Sequence, residues 1–181
     1  GMGVITPIGL TKETFWDGLV NGRSGICPLT VFDATPYDCK ICGQIRDFVP
    51  ENYIAERKRI RRMDRFVQIV LAAAKNAIED SQLQISQENP ERIGVIIGSG
   101  IWGLITLEDE HTVLVQRGPR RVTPFLIPKF ISNIAPGEIA ITYGLTGVNY
   151  AISSACASSA NALGDALRLM RYGDADVMIA G

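Results

Sequence analysis

Asn149-Tyr150-Ala151-Ile152-Ser153-Ser154-Ala155-Cys156-Ala157-Ser158-Ser159-Ala160 joins a short apolar run to a helical one. Val148 to Ser153 reads as a buried strand, Ala157 to Tyr172 as a helix closed by Gly173, and Asp176 to Ala180 as a second buried strand. A strand, a helix and another strand in succession predict a parallel sheet. Along the helix, Ala160, Leu163, Gly164, Leu167 and Met170 make an apolar stripe expected to face the core. Cys156 falls at the strand-to-helix junction. Unpaired backbone N–H groups and the positive end of a helix dipole converge there, and both favour thiolate over thiol. The same N–H groups can stabilise an oxyanion on an attacked thioester. Ser154, Ala155, Ala157 and Ser158 are small, as a sharp turn that exposes a nucleophile requires. Cys156 is therefore a candidate nucleophile. The plainer alternative is a small cysteine buried where a helix packs on a strand.

Upstream the pattern repeats. Ile93-Gly94-Val95-Ile96-Ile97 is short and apolar enough for a buried strand. It lies between a helix expected from Arg65 to Leu83, which Asp64 can cap, and one from Leu104 to Gln116. Thr11 can cap a helix through Phe15, Trp16 and Leu19 that Gly22 ends. Residues 40–45 read as a short strand, 122–128 as a proline-rich loop and 131–143 as a helix. The fold class is α/β, a βαβαβ arrangement with a mixed or parallel sheet covered by helices.

With 181 residues the chain fits one domain or a piece of a larger one. A net charge of −1 gives no general attraction to nucleic acid or anionic membrane. No apolar run reaches the roughly 18 residues of a membrane helix, and no secretory signal opens the chain. The expected compartment is the cytoplasm, with free thiols. Cys39-Lys40-Ile41-Cys42 is a literal C-x-x-C, but one pair is a weak metal signal, and along a strand the two thiols diverge. Cys27, Cys39 and Cys42 are expected to serve as small buried apolar residues, with no metal.

Several stretches, in order, resemble the β-ketoacyl-acyl carrier protein synthases of the thiolase-like ketosynthase superfamily, in particular the type II elongating synthases. They are Gly1-Met2-Gly3-Val4-Ile5-Thr6-Pro7-Ile8-Gly9, Arg61-Arg62-Met63-Asp64-Arg65-Phe66, Gly94-Val95-Ile96-Ile97-Gly98-Ser99-Gly100-Ile101, Gly118-Pro119-Arg120-Arg121-Val122, Ala155-Cys156-Ala157 and Gly173 through Gly181. The resemblance implies a thiolase-like fold of two similar halves, usually dimeric. Residues 1–181 would be an N-terminal ketosynthase domain, truncated at both ends and lacking the opening strand and second half. It implies that Cys156 accepts an acyl chain from acyl carrier protein and then undergoes decarboxylative condensation with malonyl-acyl carrier protein, yielding 3-oxoacyl-acyl carrier protein and CO2 in fatty-acid biosynthesis. Two histidines, a lysine and a second oxyanion donor would come from the second half, and no cofactor is used. This portion alone is expected to be inactive. Ile101, Leu126 and Ala155 would line the acyl pocket. Trp102 and Leu126 depart from the small residue and the Phe usual there. Lys58, Arg61 and Arg62 would dock the acidic carrier protein.

The basic residues stand out without any resemblance. Arg57, Lys58, Arg59, Arg61, Arg62 and Arg65 crowd one short segment, either a solvated face or a field for an acidic partner. The only histidine, His111, lies in an acidic stretch that reads as solvent-facing. Gly98-Ser99-Gly100-Ile101-Trp102-Gly103 is a literal G-x-G-x-x-G after a strand and before a helix, which carries the rival reading of an NAD(P)-binding oxidoreductase. Against it, no Asp or Glu occurs from Gly118 to Ser132, where a ribose-binding acid is expected. A polyketide-type ketosynthase, a chain-length-determining partner subunit and a binding scaffold are further alternatives. The partner subunits typically lack the cysteine.

Overall fold

The computed structural model describes all residues from Gly1 to Gly181. The chain divides into two compact units, Gly1–Tyr53 with Ala72–Leu83, and Ile54–Leu71 with Gln84–Gly181.

In the first unit, Thr11 caps helix α1 (Lys12–Val20) through a capping box with Thr14. Strands β1 (Ile26–Pro28) and β2 (Ile41–Gly43) pair antiparallel, with Cys27 directly opposite Cys42. Buried Gln44 fastens the ribbon, accepting from the Thr30 N–H (3.0 Å) and donating to the Pro28 carbonyl (2.9 Å). The expectation that three cysteines would be buried is corrected. Cys39 is exposed, and Cys27 and Cys42 are half-buried. A two-stranded ribbon has no second layer to enclose either face completely.

The second unit opens with the short helix α2 (Arg57–Ile60). Helix α3 (Arg65–Ser81) comes next and contributes its first turns to this unit and the remainder to the other. It is succeeded by β3 (Ile93–Gly98), α4 (Leu104–Arg117), α5 (Leu126–Phe130), α6 (Ile134–Tyr143), β4 (Asn149–Ile152), α7 (Ser158–Tyr172) and β5 (Val177–Ala180). The sheet order is β4-β3-β5, and both pairings are parallel. The α/β expectation holds, and Gly173 closes α7 in the left-handed region (φ 80°). The segment read as a proline-rich loop is partly helical, because a proline in the first turn of α5 needs no N–H partner.

Side chains alternate across β3. Ile96 packs with Ala162 and Ala166 of α7, joined by Tyr150, Ile152, Met178 and Ala180. On the other face, Asn149, beside Val95 in the register, donates to the Pro136 carbonyl of α6 (2.9 Å). Val95, Ile97, Ala135 and Ile139 are buried. The central strand is thus covered on both sides, which explains its unbroken apolar run.

The predicted core stripe of α7 requires correction. Leu163 (56%), Leu167 (46%) and Met170 (39%) are exposed, as are Ala160 and Gly164. The buried residues are Ser158, Ala162 and Ala166. Small side chains let the helix backbone approach the sheet, whose own large residues fill the space between, so Leu163, Leu167 and Met170 point outward, while Leu169 packs against the core.

Candidate functional site

Parallel sheets gather their sites at the C-terminal ends of the strands. Here those ends are tied together: Gly98 N–H donates to the Gly181 carbonyl (2.7 Å) and Ser99 N–H to the Ile152 carbonyl (3.0 Å). Cys156 lies just beyond, in a single 3-10 turn, Ala155–Ala157, that runs into α7.

Several residues hold that turn. Ala155 takes a left-handed backbone (φ 50°), which for a residue with a Cβ costs roughly 1–2 kcal/mol. Ser158 Oγ accepts from the Ser154 N–H (2.9 Å) and donates to the Ala155 carbonyl (2.7 Å). Asn161 Nδ2 donates to Ser154 Oγ (2.6 Å). Tyr150 OH donates to Asp165 on α7 (3.2 Å), and burial, with Asp165 adding to it, pushes the Tyr150 hydroxyl up from its ordinary pKa. The Cys156 thiol is exposed. A backbone strained immediately before an exposed cysteine, and clamped by a buried serine, is the arrangement expected where a reactive group is held in place. Sequence reading singled out Cys156 and counted Ser158 only as a small neighbour; it missed the clamping hydroxyl of Ser158 and the role of Asn161. Their spacing from Ser154, four and seven residues along a helix, was the available signal.

The G-x-G-x-x-G loop does not cradle a dinucleotide, because each glycine is occupied by protein. A Cβ at Gly98 would lie 2.2 Å from the Ser158 backbone, one at Gly100 3.2 Å from the Ala155 Cα, and one at Gly103 2.5 Å from the Lys129 carbonyl oxygen. The loop is instead the hub against which the cysteine turn and α5 pack. Of the residues expected to line a pocket, Ile101 is 67% exposed within this loop, Ala155 faces the loop at Gly100, and half-buried Leu126 begins α5. Trp102 meets Phe66 edge to face at 6.5 Å.

The basic segment divides by role. Arg59 pairs with Glu138 (2.7 Å) and Thr142 (2.8 Å) on α6, and the Arg62 guanidinium lies 4.8 Å over the Phe125 ring, next to Leu126. Arg57, Lys58 and Arg61 are exposed without such partners. Buried Asp64 ties the start of α3 to α4. It accepts from Phe66 N–H (3.1 Å) in the first turn of α3, and from Thr106 N–H (3.1 Å) and Oγ (2.6 Å) on α4. His111 is exposed on α4. No group of three or more His, Cys, Asp or Glu side chains can hold a metal ion, and no helix is long and apolar enough to cross a membrane.

The family model described as "Beta-ketoacyl synthase, N-terminal domain" matches residues 1–181. Over all 181 residues the chain is 46% identical to 3-oxoacyl-[acyl-carrier-protein] synthase 2 of Synechocystis sp., covering 43% of that protein. It is 44% identical to the protein of that name from Vibrio harveyi (43% covered) and 42% to that from Staphylococcus aureus (45% covered). The chain therefore spans less than half the length of these curated relatives. Among solved structures, the ishigamide ketosynthase/chain length factor superposes over the whole chain and 45% of its own, with TM-score 0.90 and 27% identity. A type II PKS acyl-carrier protein in complex with its ketosynthase gives TM-score 0.85 at 23% identity, covering 100% of this chain and 48% of that one, a likeness of fold.

Proposed function

Because the chain belongs to the β-ketoacyl synthase family, whose N-terminal domain it spans, we propose that it supplies the acyl-accepting nucleophile of an elongating condensing enzyme in fatty-acid biosynthesis. The observation that carries this reading is Cys156, exposed on a clamped turn at the strand ends. Its sulfur attacks the thioester carbonyl of an acyl-acyl carrier protein, and the carrier's thiol leaves. In this reading the Cys156 N–H stabilises the intervening oxyanion. Malonyl-acyl carrier protein then loses CO2, and the resulting carbanion attacks the acyl-enzyme to give 3-oxoacyl-acyl carrier protein. Two histidines, a lysine and the second oxyanion donor belong to the remainder of a chain of the relatives' length. No organic cofactor takes part.

Ile101, Leu126 and Ala155 line the acyl pocket in this reading, and Lys58 and Arg61, with Arg62 at its aromatic contact, form the carrier-protein landing site. Two exposed cations without ion-pair partners, beside Arg62 in the sequence, suit an acidic partner. In this reading a protein of the relatives' length works in the cytoplasm as a homodimer. A polyketide-type ketosynthase shares the fold, but the 42–46% identity to relatives named 3-oxoacyl-[acyl-carrier-protein] synthase 2 favours the first reading.

The test is acylation in a protein of the relatives' length. Acyl-acyl carrier protein adds one acyl mass, peptide mapping puts it on Cys156, and Cys156→Ala abolishes it. Iodoacetamide labels Cys156 faster than Cys27, Cys39 or Cys42. Equal labelling of all four thiols in the native protein rejects an activated Cys156.

A further inference from the structure

Outside the Cys156 site, the β1–β2 ribbon holds a second group of thiols that the condensing chemistry does not use. Cys27 and Cys42 are cross-strand partners, so their side chains leave the same face of the ribbon. The Leu29 N–H bond to the Lys40 carbonyl (2.9 Å) fixes the alternation and makes Cys27–Cys42 a hydrogen-bonded pair. In such pairs the Cα atoms are about 5.5 Å apart, inside the roughly 4.4–6.8 Å span of disulfides, but the Cβ atoms stand wider than the roughly 3.5–4.5 Å of a relaxed bridge, so a bond formed here is strained and readily reduced. Cys27 Sγ already points across the ribbon, donating to the Cys42 carbonyl at 3.5 Å.

The surroundings of Cys27 favour its thiolate. Gln44 Nε2 donates to its sulfur at 3.5 Å. That contact, with Arg46 beside it, holds the Cys27 thiol below its ordinary pKa despite some burial. Cys27 also borders a groove of about 460 Å³ that Arg23 and Arg46 share, through which a small oxidant can reach it. Cys39 is exposed, outside the strand pairing, and its thiol turns to the Ile41 carbonyl (3.5 Å). The three thiols belong to no group of three or more metal-ligating side chains.

We propose that Cys27 and Cys42 are a redox pair, in which Cys27 is the peroxide-sensitive thiol and Cys42 resolves it into a cross-strand disulfide. The Cys27 thiolate attacks one oxygen of hydrogen peroxide, breaking the O–O bond and giving a sulfenic acid and hydroxide, which takes up a proton to become water. The Cys42 sulfur then attacks the Cys27 sulfur. The S–S bond forms as the sulfenic oxygen leaves with a proton as a second water. Two thiols lose two electrons, and peroxide gains them. A dithiol reductant returns the pair to its starting state.

Peptide mapping of the 181-residue chain tests this. The chain is treated with hydrogen peroxide, blocked with N-ethylmaleimide and digested with trypsin without reduction. Cleavage after Arg23, Lys40 and Arg46 puts Cys27 and Cys39 on one peptide and Cys42 on the next. The expected product is those two peptides joined, lighter than their sum by two hydrogens, and separated by dithiothreitol. Cys39→Ser retains the joined product in unchanged yield, whereas Cys27→Ser and Cys42→Ser lose it. Far-UV circular dichroism checks that each variant keeps its fold. A joined product that persists in Cys27→Ser means Cys39 is the partner and overturns the assignment. So does a treated native chain in which Cys27 and Cys42 both remain fully alkylatable.

Discussion

Gly98→Ala tests whether the packing of β3 against α7 sets the position of Cys156. The added Cβ would lie 2.2 Å from both the carbonyl carbon and oxygen of Ser158, and 2.5 Å from Ser159 N, where ordinary contact begins near 3.4 Å. All three are backbone atoms, so no rotamer change relieves the clash. Gly98 is itself tied to Gly181 through its N–H, so the end of β3 resists moving. The remaining route is for the start of α7 to retreat by roughly an ångström, the scale at which catalytic geometry loses about a hundredfold in rate. Ser158 travels with it, and its bonds to Ser154 N–H (2.9 Å) and the Ala155 carbonyl (2.7 Å) stretch toward the limit of useful length. Overpacking costs about 1–3 kcal/mol and each of the two weakened hydrogen bonds up to about 1 kcal/mol more, which together predict a loss of roughly 1–5 kcal/mol. Urea denaturation of a protein of the relatives' length measures the loss. The iodoacetamide rate at Cys156 reports whether the turn has moved. A variant within about 0.5 kcal/mol of the parent, with unchanged Cys156 labelling, refutes the reasoning, since that is the range of an inconsequential surface substitution.

Gly164→Ala is the counterpart, because nothing lies within 4 Å of a Cβ there. It should stabilise the 181-residue chain by about 0.5–1 kcal/mol in thermal unfolding. Asp64→Ala strips buried Thr106 of the acceptor for both its N–H and its hydroxyl, and should cost about 2–4 kcal/mol in urea denaturation. Reversing the charge of Lys58 and Arg61 should raise the apparent KM for carrier-bound substrate and leave iodoacetamide labelling of Cys156 unchanged. An unaltered KM removes them as the landing site. Arg92 donates two hydrogen bonds to Asp176 (3.1 and 2.6 Å), which hold that carboxyl below its ordinary pKa. Because the folded value is the lower one, the pair's contribution is present above the unfolded value near ~3.9 and is lost as pH falls through the folded one. Arg92→Gln should therefore flatten the acid limb of a Tm-versus-pH curve below about pH 4 and leave its slope near neutrality alone.

The residues whose identity is dictated by a local requirement were the legible ones. Thr11, Asp64 and Gly173 each sit where a helix end demands their chemistry, and each does what the sequence implied. The run Ile93–Ile97 read as a buried strand, and it is one. Long-range steric relations were not legible. Nothing local distinguishes a glycine that admits a phosphate from one that admits a helix backbone, so Gly98, Gly100 and Gly103 kept a dinucleotide reading open until their neighbours were known. The clamp made by Ser158 was equally hidden, because a serine in a first helical turn has many ordinary uses. Cysteine exposure depended on whether the 26–43 ribbon acquired a second layer, which no feature of Cys27, Cys39 or Cys42 encodes.

Helix α7 shows why a correct pattern gave a wrong burial. Its apolar period was real, but a helix that carries the cysteine turn has two demanding faces. The face toward the sheet must come close enough for Gly98 to touch Ser158, and closeness selects Ser158, Ala162 and Ala166 over larger residues. The opposite face carries Leu163, Leu167 and Met170, whose exposure is costly in water unless something covers them. We infer that in a chain of the relatives' length this outer face is covered by the remaining polypeptide. Gly164 and Ala160 would then allow a close approach on that side too. Gly164→Ala separates the possibilities by sign. A Cβ that stabilises the 181-residue chain but destabilises the longer protein marks a buried contact. One that stabilises both leaves the outer face of α7 in water and rejects the inference.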